Sequence, residues 1–223
     1  MLPLLVIAIT VAALLAVSRG RPTAWLRRTG RMLAVLTLGA EVSWWGSAVV
    51  AGTWTARYHL PLHLCEAGAF VLAAALWSAR PLLVEISYFW GLGGATAALI
   101  TPDIPVRFPH FVYFQYYVEH GLIVLGALYL VTALGHRPRR GAVIRVFLLT
   151  AAYTAIVGVA DYITGGNYMF LRHIPATGTL LDDLGPWPWY ILTCGVIALI
   201  VFGLLYMPFA QRRSVPATPA EAT

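Results

Sequence analysis

The chain has 223 residues, 60% of them hydrophobic and 11% charged, with a mean hydropathy of +0.76. A soluble domain carries about 25% charged residues, so water is excluded as its main solvent and the composition is that of a polytopic membrane protein. The net charge is +6, but the basic residues are all arginine and fall between apolar segments, so they read as orientation signals and headgroup contacts, not as a nucleic-acid surface.

Seven apolar segments can be drawn, at about 2–18, 31–52, 61–79, 82–100, 110–134, 142–164 and 188–209. Each is near the ~20 residues that cross hydrocarbon. The expected fold is therefore all-α, a polytopic membrane bundle of seven transmembrane helices forming one domain over residues 1–209. The first segment has the length of a signal peptide. However, "MLPLLVIAIT" has no basic n-region and "AVSRGRPTAWLRR" is a poor cleavage site, so it is kept as a helix. Residues 210–223, rich in Pro and Ala, read as a disordered tail.

Arginine placement sets the orientation. Arg19, Arg21, Arg27, Arg28 and Arg31 lie between segments one and two, and Arg80 between three and four. Arg137, Arg139, Arg140 and Arg145 lie between five and six, and Arg212 and Arg213 follow seven. Only Arg57, Arg107 and Arg172 lie on the other face, a split of twelve to three. The arginine-rich face is expected to be cytoplasmic, with the N-terminus outside and the C-terminus inside. The expected location is the cell membrane, as a multi-pass protein.

The other polar groups gather toward the opposite face. "YHLPLHLCEAG" (58–68) carries His59, His63, Cys65 and Glu66. His59 and His63 have helical metal-ligand spacing. Pro61 lies between them and favours the first position of a helix, which puts His59 in the loop and His63 in the first turn. The pair reads equally well as hydrated histidines at headgroup level. Cys65 lies near a helix start, where the dipole favours a thiolate. A small apolar filler, or a disulfide to Cys194, would also account for it.

Glu41 lies mid-segment beside Trp44 and Trp45, suited either to catalysis or to a buried hydrogen bond. Asp103 follows segment four. "FQYYVEHGLIV" places Tyr116, Glu119 and His120 inside segment five, with His120 ~15 Å from its start. A Glu–His pair at that depth points to function, and His120 is the best general base in the chain. Asp161 lies late in segment six, before Asn167 and Tyr168. Cys65, His63, His120 and Asp161 are expected to line one cavity open to the outer leaflet.

The motifs "LPLHLC", "LITPD", "EHGLI", "GGNYMFLRHIP" and "LLDDLGPWPWYIL" occur in this order. Together they resemble the YwaF-like family of bacterial integral membrane proteins, which looks related to a eukaryotic transmembrane acyltransferase that remodels ether phospholipids. The resemblance implies a Cys that carries an acyl group, at Cys65, and a His that activates it, at His120. Relatives have "HHG" where Glu119 precedes His120. The implied function is a phospholipid acyltransferase or acyl hydrolase. From the residues themselves, His59, His63, Glu41, Tyr116, Glu119, Asp103, Asp161, Asn167 and Tyr168 are the candidate substrate-binding or supporting groups. The implied partners are a phospholipid substrate and the membrane, with no metal or other cofactor and no nucleic acid. A zinc-dependent seven-helix lipid hydrolase and a transporter are the alternatives.

Overall fold

The computed structural model describes residues 2–175 and 178–210, so the expected tail lies outside the described residues except for Ala210. Among them there are seven helices and no strand. They are α1 (Leu2–Ser18), α2 (Thr23–Val50), α3 (Leu64–Ser78), α4 (Pro81–Ile100), α5 (Phe111–Thr132), α6 (Ala142–Thr164) and α7 (Trp189–Ala210). Five of these, α2 and α4 to α7, are long and apolar enough to cross a membrane. With 17 and 15 residues, α1 and α3 are shorter.

Two boundaries differ from the sequence expectation. Helix α2 begins eight residues early, so Arg27, Arg28 and Arg31 lie on it and not in a loop. At 28 residues it is ~42 Å long, beyond the ~30 Å of hydrocarbon. Its basic first turns therefore fit the headgroup layer, and the Arg31 guanidinium lies 5.3 Å from the Trp77 ring centre. Helix α3 begins at Leu64 instead of near Pro61. Its start is fixed by the His63 amide donating to Glu66 Oε2 at 3.1 Å. This cap satisfies one of the orphan amides of the first turn.

The bundle is centred on α5. In its most apolar stretch 56% of residues are buried, against 11% for α7. Leu33 and Ala34 of α2, Leu72 and Leu76 of α3, and Ile123, Tyr129 and Leu130 of α5 form one core. Ile86, Phe89 and Trp90 of α4, Val146 of α6 and Phe202 of α7 form a second. Close helix approach depends on glycine. A Cβ on Gly126 would stand 2.7 Å from Leu72, and one on Gly91 would stand 2.8 Å from the Ala127 Cβ. Around Gly91, α4 widens into a π-helical turn over Trp90–Ala95.

At the arginine-rich end, Glu85 of α4 is fully buried. It accepts from Arg139 Nε at 2.7 Å and from Arg145 Nε at 2.9 Å. Two of the arginines read as orientation signals thus also tie the α5–α6 connection, through Arg139, and the start of α6, through Arg145, to α4. The opposite end carries the 51–63, 101–110 and 165–188 connections, where the candidate site lies.

Candidate functional site

Helix α3 is short, so its first residues are met by the loops of its neighbours. His63 precedes α3, and its ring lies 5.4 Å from both Tyr168 and Phe170, centre to centre. The Met169 amide donates to His63 Nδ1 at 3.3 Å. A ring nitrogen that accepts carries no proton, so a neutral His63 keeps its hydrogen on Nε2.

Cys65 is in the first turn of α3, packed against the α2–α3–α5 core. Glu119, Glu66 and Glu41 are within electrostatic reach of its sulfur. Cys65 and Cys194 are both free thiols, so no disulfide joins them. The Tyr116 ring of α5 stacks on the His120 imidazole at 4.1 Å and 24°. The Tyr116 hydroxyl donates to Ala98 O at 2.9 Å, tying α5 to the end of α4.

His120 is buried, and its Nδ1 lies 2.8 Å from Tyr116 O. A carbonyl oxygen only accepts, so Nδ1 carries the hydrogen and a neutral ring presents Nε2 as a lone pair. His63 and His120 are within electrostatic reach of one another. Backbone contacts thus set the two imidazoles in opposite tautomers, one ready to donate from Nε2 and the other to accept there.

Behind them lies a buried polar group. Glu119 Oε2 accepts from Gln115 Nε2 at 2.6 Å, and the same amide donates to Ala40 O at 3.2 Å. Glu41 faces Glu119. Among the described residues, neither Glu41 oxygen nor Glu119 Oε1 meets a hydrogen-bond donor, and Trp45 Nε1–H meets no acceptor. Gln115 is the member that the sequence did not mark out. The one signal for Gln115 was its four-residue spacing from Glu119 on a helix.

The remaining candidates fasten loops. Asp161 Oδ1 accepts from the Tyr168 amide at 2.8 Å. The Tyr168 hydroxyl accepts from Leu60 N and donates to Ala56 O, both at 2.8 Å. Burial pushes this phenol's pKa up, which keeps its proton on. Asn167 Oδ1 accepts from the amides of Arg172 and His173 at 2.9 and 3.1 Å. His59 Nδ1 accepts from Thr55 N at 3.2 Å, and its ring lies against Trp44. His59 and His63 share no helical face, because α3 starts after both. Among the described residues no group of three His, Cys, Asp or Glu side chains stands in metal-binding geometry.

A cavity of about 330 Å³ opens at this end. His63 and Asp103 line it with Arg57, Tyr58, Asn167, Tyr168, Phe170 and His173. Of the four residues expected to share one cavity, only His63 lines this one. Cys65 and His120 belong to the buried group behind it, and Asp161 is spent on the Tyr168 amide. His63 is thus common to the cavity and to the neighbourhood of Cys65 and His120.

The chain is 27% identical over 188 residues to an uncharacterized protein of Treponema pallidum (strain Nichols), covering 82% of this chain and 74% of that protein. No solved structure matches the chain. The model of the TMEM164 family matches residues 1–206, and the family name thus differs from the YwaF-like name to which the motifs pointed. With its apolar helices and a family match over nearly its whole length, this chain is a membrane protein of the TMEM164 family.

Proposed function

We propose that this protein is a membrane-embedded phospholipid acyltransferase or acyl hydrolase that works through Cys65 and His120. One observation carries the reading. The Tyr116 carbonyl holds His120 in the tautomer that a general base requires, and the Tyr116 ring stacks on that imidazole. Nucleophilic catalysis needs a nucleophile, a base and a group that orients the base, and Cys65, His120 and Tyr116 are the residues suited to those roles.

The step balances as follows. The Cys65 sulfur attacks the ester carbonyl of a phospholipid while its proton passes to His120 Nε2. The tetrahedral oxyanion forms within reach of a donor, a role that suits His63 Nε2–H. The carbon–oxygen bond breaks, the imidazolium returns its proton to the leaving glycerol oxygen, and a thioester on Cys65 remains. A hydroxyl acceptor, from a lysolipid or from water, then attacks the thioester, with His120 as base, and the thiol is regenerated. The acceptor decides between transferase and hydrolase.

The test is incubation of the purified protein with phospholipid, followed by intact-mass measurement before and after hydroxylamine. An acyl-sized mass increase that hydroxylamine removes, and that Cys65→Ala abolishes, supports the reading. Undiminished lipid remodelling by Cys65→Ala refutes it.

A further inference from the structure

The buried group behind the imidazoles has more acceptors than donors. Glu41 of α2 and Glu119 of α5 come within side-chain hydrogen-bond reach of each other. Gln115 donates both to Glu119 Oε2 and to the carbonyl of Ala40, the residue before Glu41. Gln115 and Glu119 are four apart on α5, so one face of that helix is held against one point of α2. Glu41 is 0% exposed and Glu119 5%, so water does not reach them. Among the described residues, both Glu41 oxygens and Glu119 Oε1 lack a donor. The ion pairs among the described residues use Glu85 alone, so neither charge has an arginine partner.

Three buried acceptors cannot satisfy one another. Leaving them unpaired is costly, and two carboxylates facing each other away from water cannot both hold a full charge. A single proton answers both problems. It turns Glu41 into a donor, gives Glu119 Oε1 a partner and leaves one negative charge on the pair. Its place follows from the neighbours. The Gln115 amide already serves Glu119 at 2.6 Å, as a carboxylate requires, whereas Glu41 meets no donor. A metal ion would need more ligands than two carboxylates supply, and among the described residues no third His, Cys, Asp or Glu joins them in metal-binding geometry.

We infer that Glu41 and Glu119 bind one proton between them at neutral pH, with Glu41 as the acid donating to Glu119 Oε1 of the carboxylate. The bond fastens α2 to α5. The titratable groups that face the pair are Cys65 and Glu66 of α3, His63 before α3 and His120 of α5. The shared proton stands without the acyl-transfer reading; its role in catalysis rests on that reading. There the pair is a positioning element. Its one negative charge offsets the imidazolium that His120 becomes during acyl transfer, and its proton spares the attacking Cys65 sulfur a second like charge.

Infrared spectroscopy of the full chain at neutral pH, in a detergent without a carbonyl group, tests the shared proton without any lipid substrate. A protonated carboxyl has a carbonyl stretch distinct from those of carboxylates and amides, and full exchange into D2O lowers its frequency. The parent chain should show such a band. Glu41→Gln should remove it, because the acid is gone. Glu119→Gln should shift it, because the acid then donates to an amide and not to a carboxylate. Glu66→Gln should leave it in place. Glutamine matches glutamate in volume and keeps a hydrogen-bonding end, so each variant retains the packing of the site. A parent spectrum with no Glu41-dependent band would overturn the inference, since both groups would then be ionised, as around a bound cation. A band that Glu119→Gln leaves unmoved would also overturn it, since Glu41 would then hold its proton alone.

The time course of adduct formation on Cys65 separates this inference from the reading beneath it. Glu119→Gln should slow it by about tenfold, the order of one charge–charge interaction in a protein interior, and by more than Glu41→Gln does. Equal rates in the two variants would overturn the role at His120. The infrared band with no acyl adduct from any donor overturns the acyl-transfer reading alone. Adduct formation without the band overturns the shared proton alone.

Discussion

His120 shows how a single backbone contact can decide the chemistry of a side chain. With Nδ1 committed to Tyr116 O, the ring has one free nitrogen, and the stacked Tyr116 ring limits its orientation. His120→Ala should therefore slow adduct formation on Cys65 by the ~10²–10⁴-fold typical of a lost general base, read from the time course of the mass shift. His63→Ala should slow it by ~10²–10³-fold, the cost of one lost oxyanion donor. Cys194→Ala should leave the adduct unchanged, because Cys194 has no partner imidazole in α7. The proposed nucleophile and base are marked in the sequence as residue types at helical depth. The tautomer of His63 is not, because it depends on the Met169 amide, 106 residues away.

At the scale of elements, the π-helical turn of α4 and the glycine contacts set how closely α3, α4 and α5 pack. Gly91→Ala places a methyl 2.8 Å from the Ala127 Cβ and 3.3 Å from the Ile123 carbonyl oxygen. Backbone cannot yield as a flexible side chain would, so a loss of ~1–3 kcal/mol of stability is expected, read as a lower thermal transition in detergent. Gly203→Ala on α7 meets nothing within 4 Å and should not lower it. Helix α6 was fully legible at 142–164, since left-handed glycines at 141 and 165 bound its apolar run. Helix α2 was not, because an apolar run marks what lies in hydrocarbon, whereas the helix itself continues through its arginines. The start of α3 was misplaced because Pro61 is a permissive signal, and the Glu66 cap outcompeted it.

At the scale of the whole molecule, the polar groups and the arginines divide between opposite ends of the bundle. The arginine asymmetry predicts that the 136–141 connection is cytoplasmic. A cysteine placed there in a Cys194→Ala background should react with an impermeant maleimide only after the cells are permeabilised. Labelling of intact cells would reverse the topology and put the Arg57 cavity on the inner leaflet. Membrane class and helical architecture were legible from composition and pattern. The Glu85–Arg139–Arg145 tie and the Gln115–Glu119–Glu41 group were not. Their partners come from separate helices, and nothing local in the sequence records which faces will meet.

The central claim is that Cys65 carries an acyl group transferred from phospholipid. Intact-mass analysis of the purified chain after incubation with phospholipid addresses it most directly. The account predicts one acyl-sized adduct, removed by hydroxylamine, absent in Cys65→Ala and retained in Cys194→Ala. An unmodified mass for the parent chain under conditions where it remodels lipid, or an adduct that persists in Cys65→Ala, would contradict it.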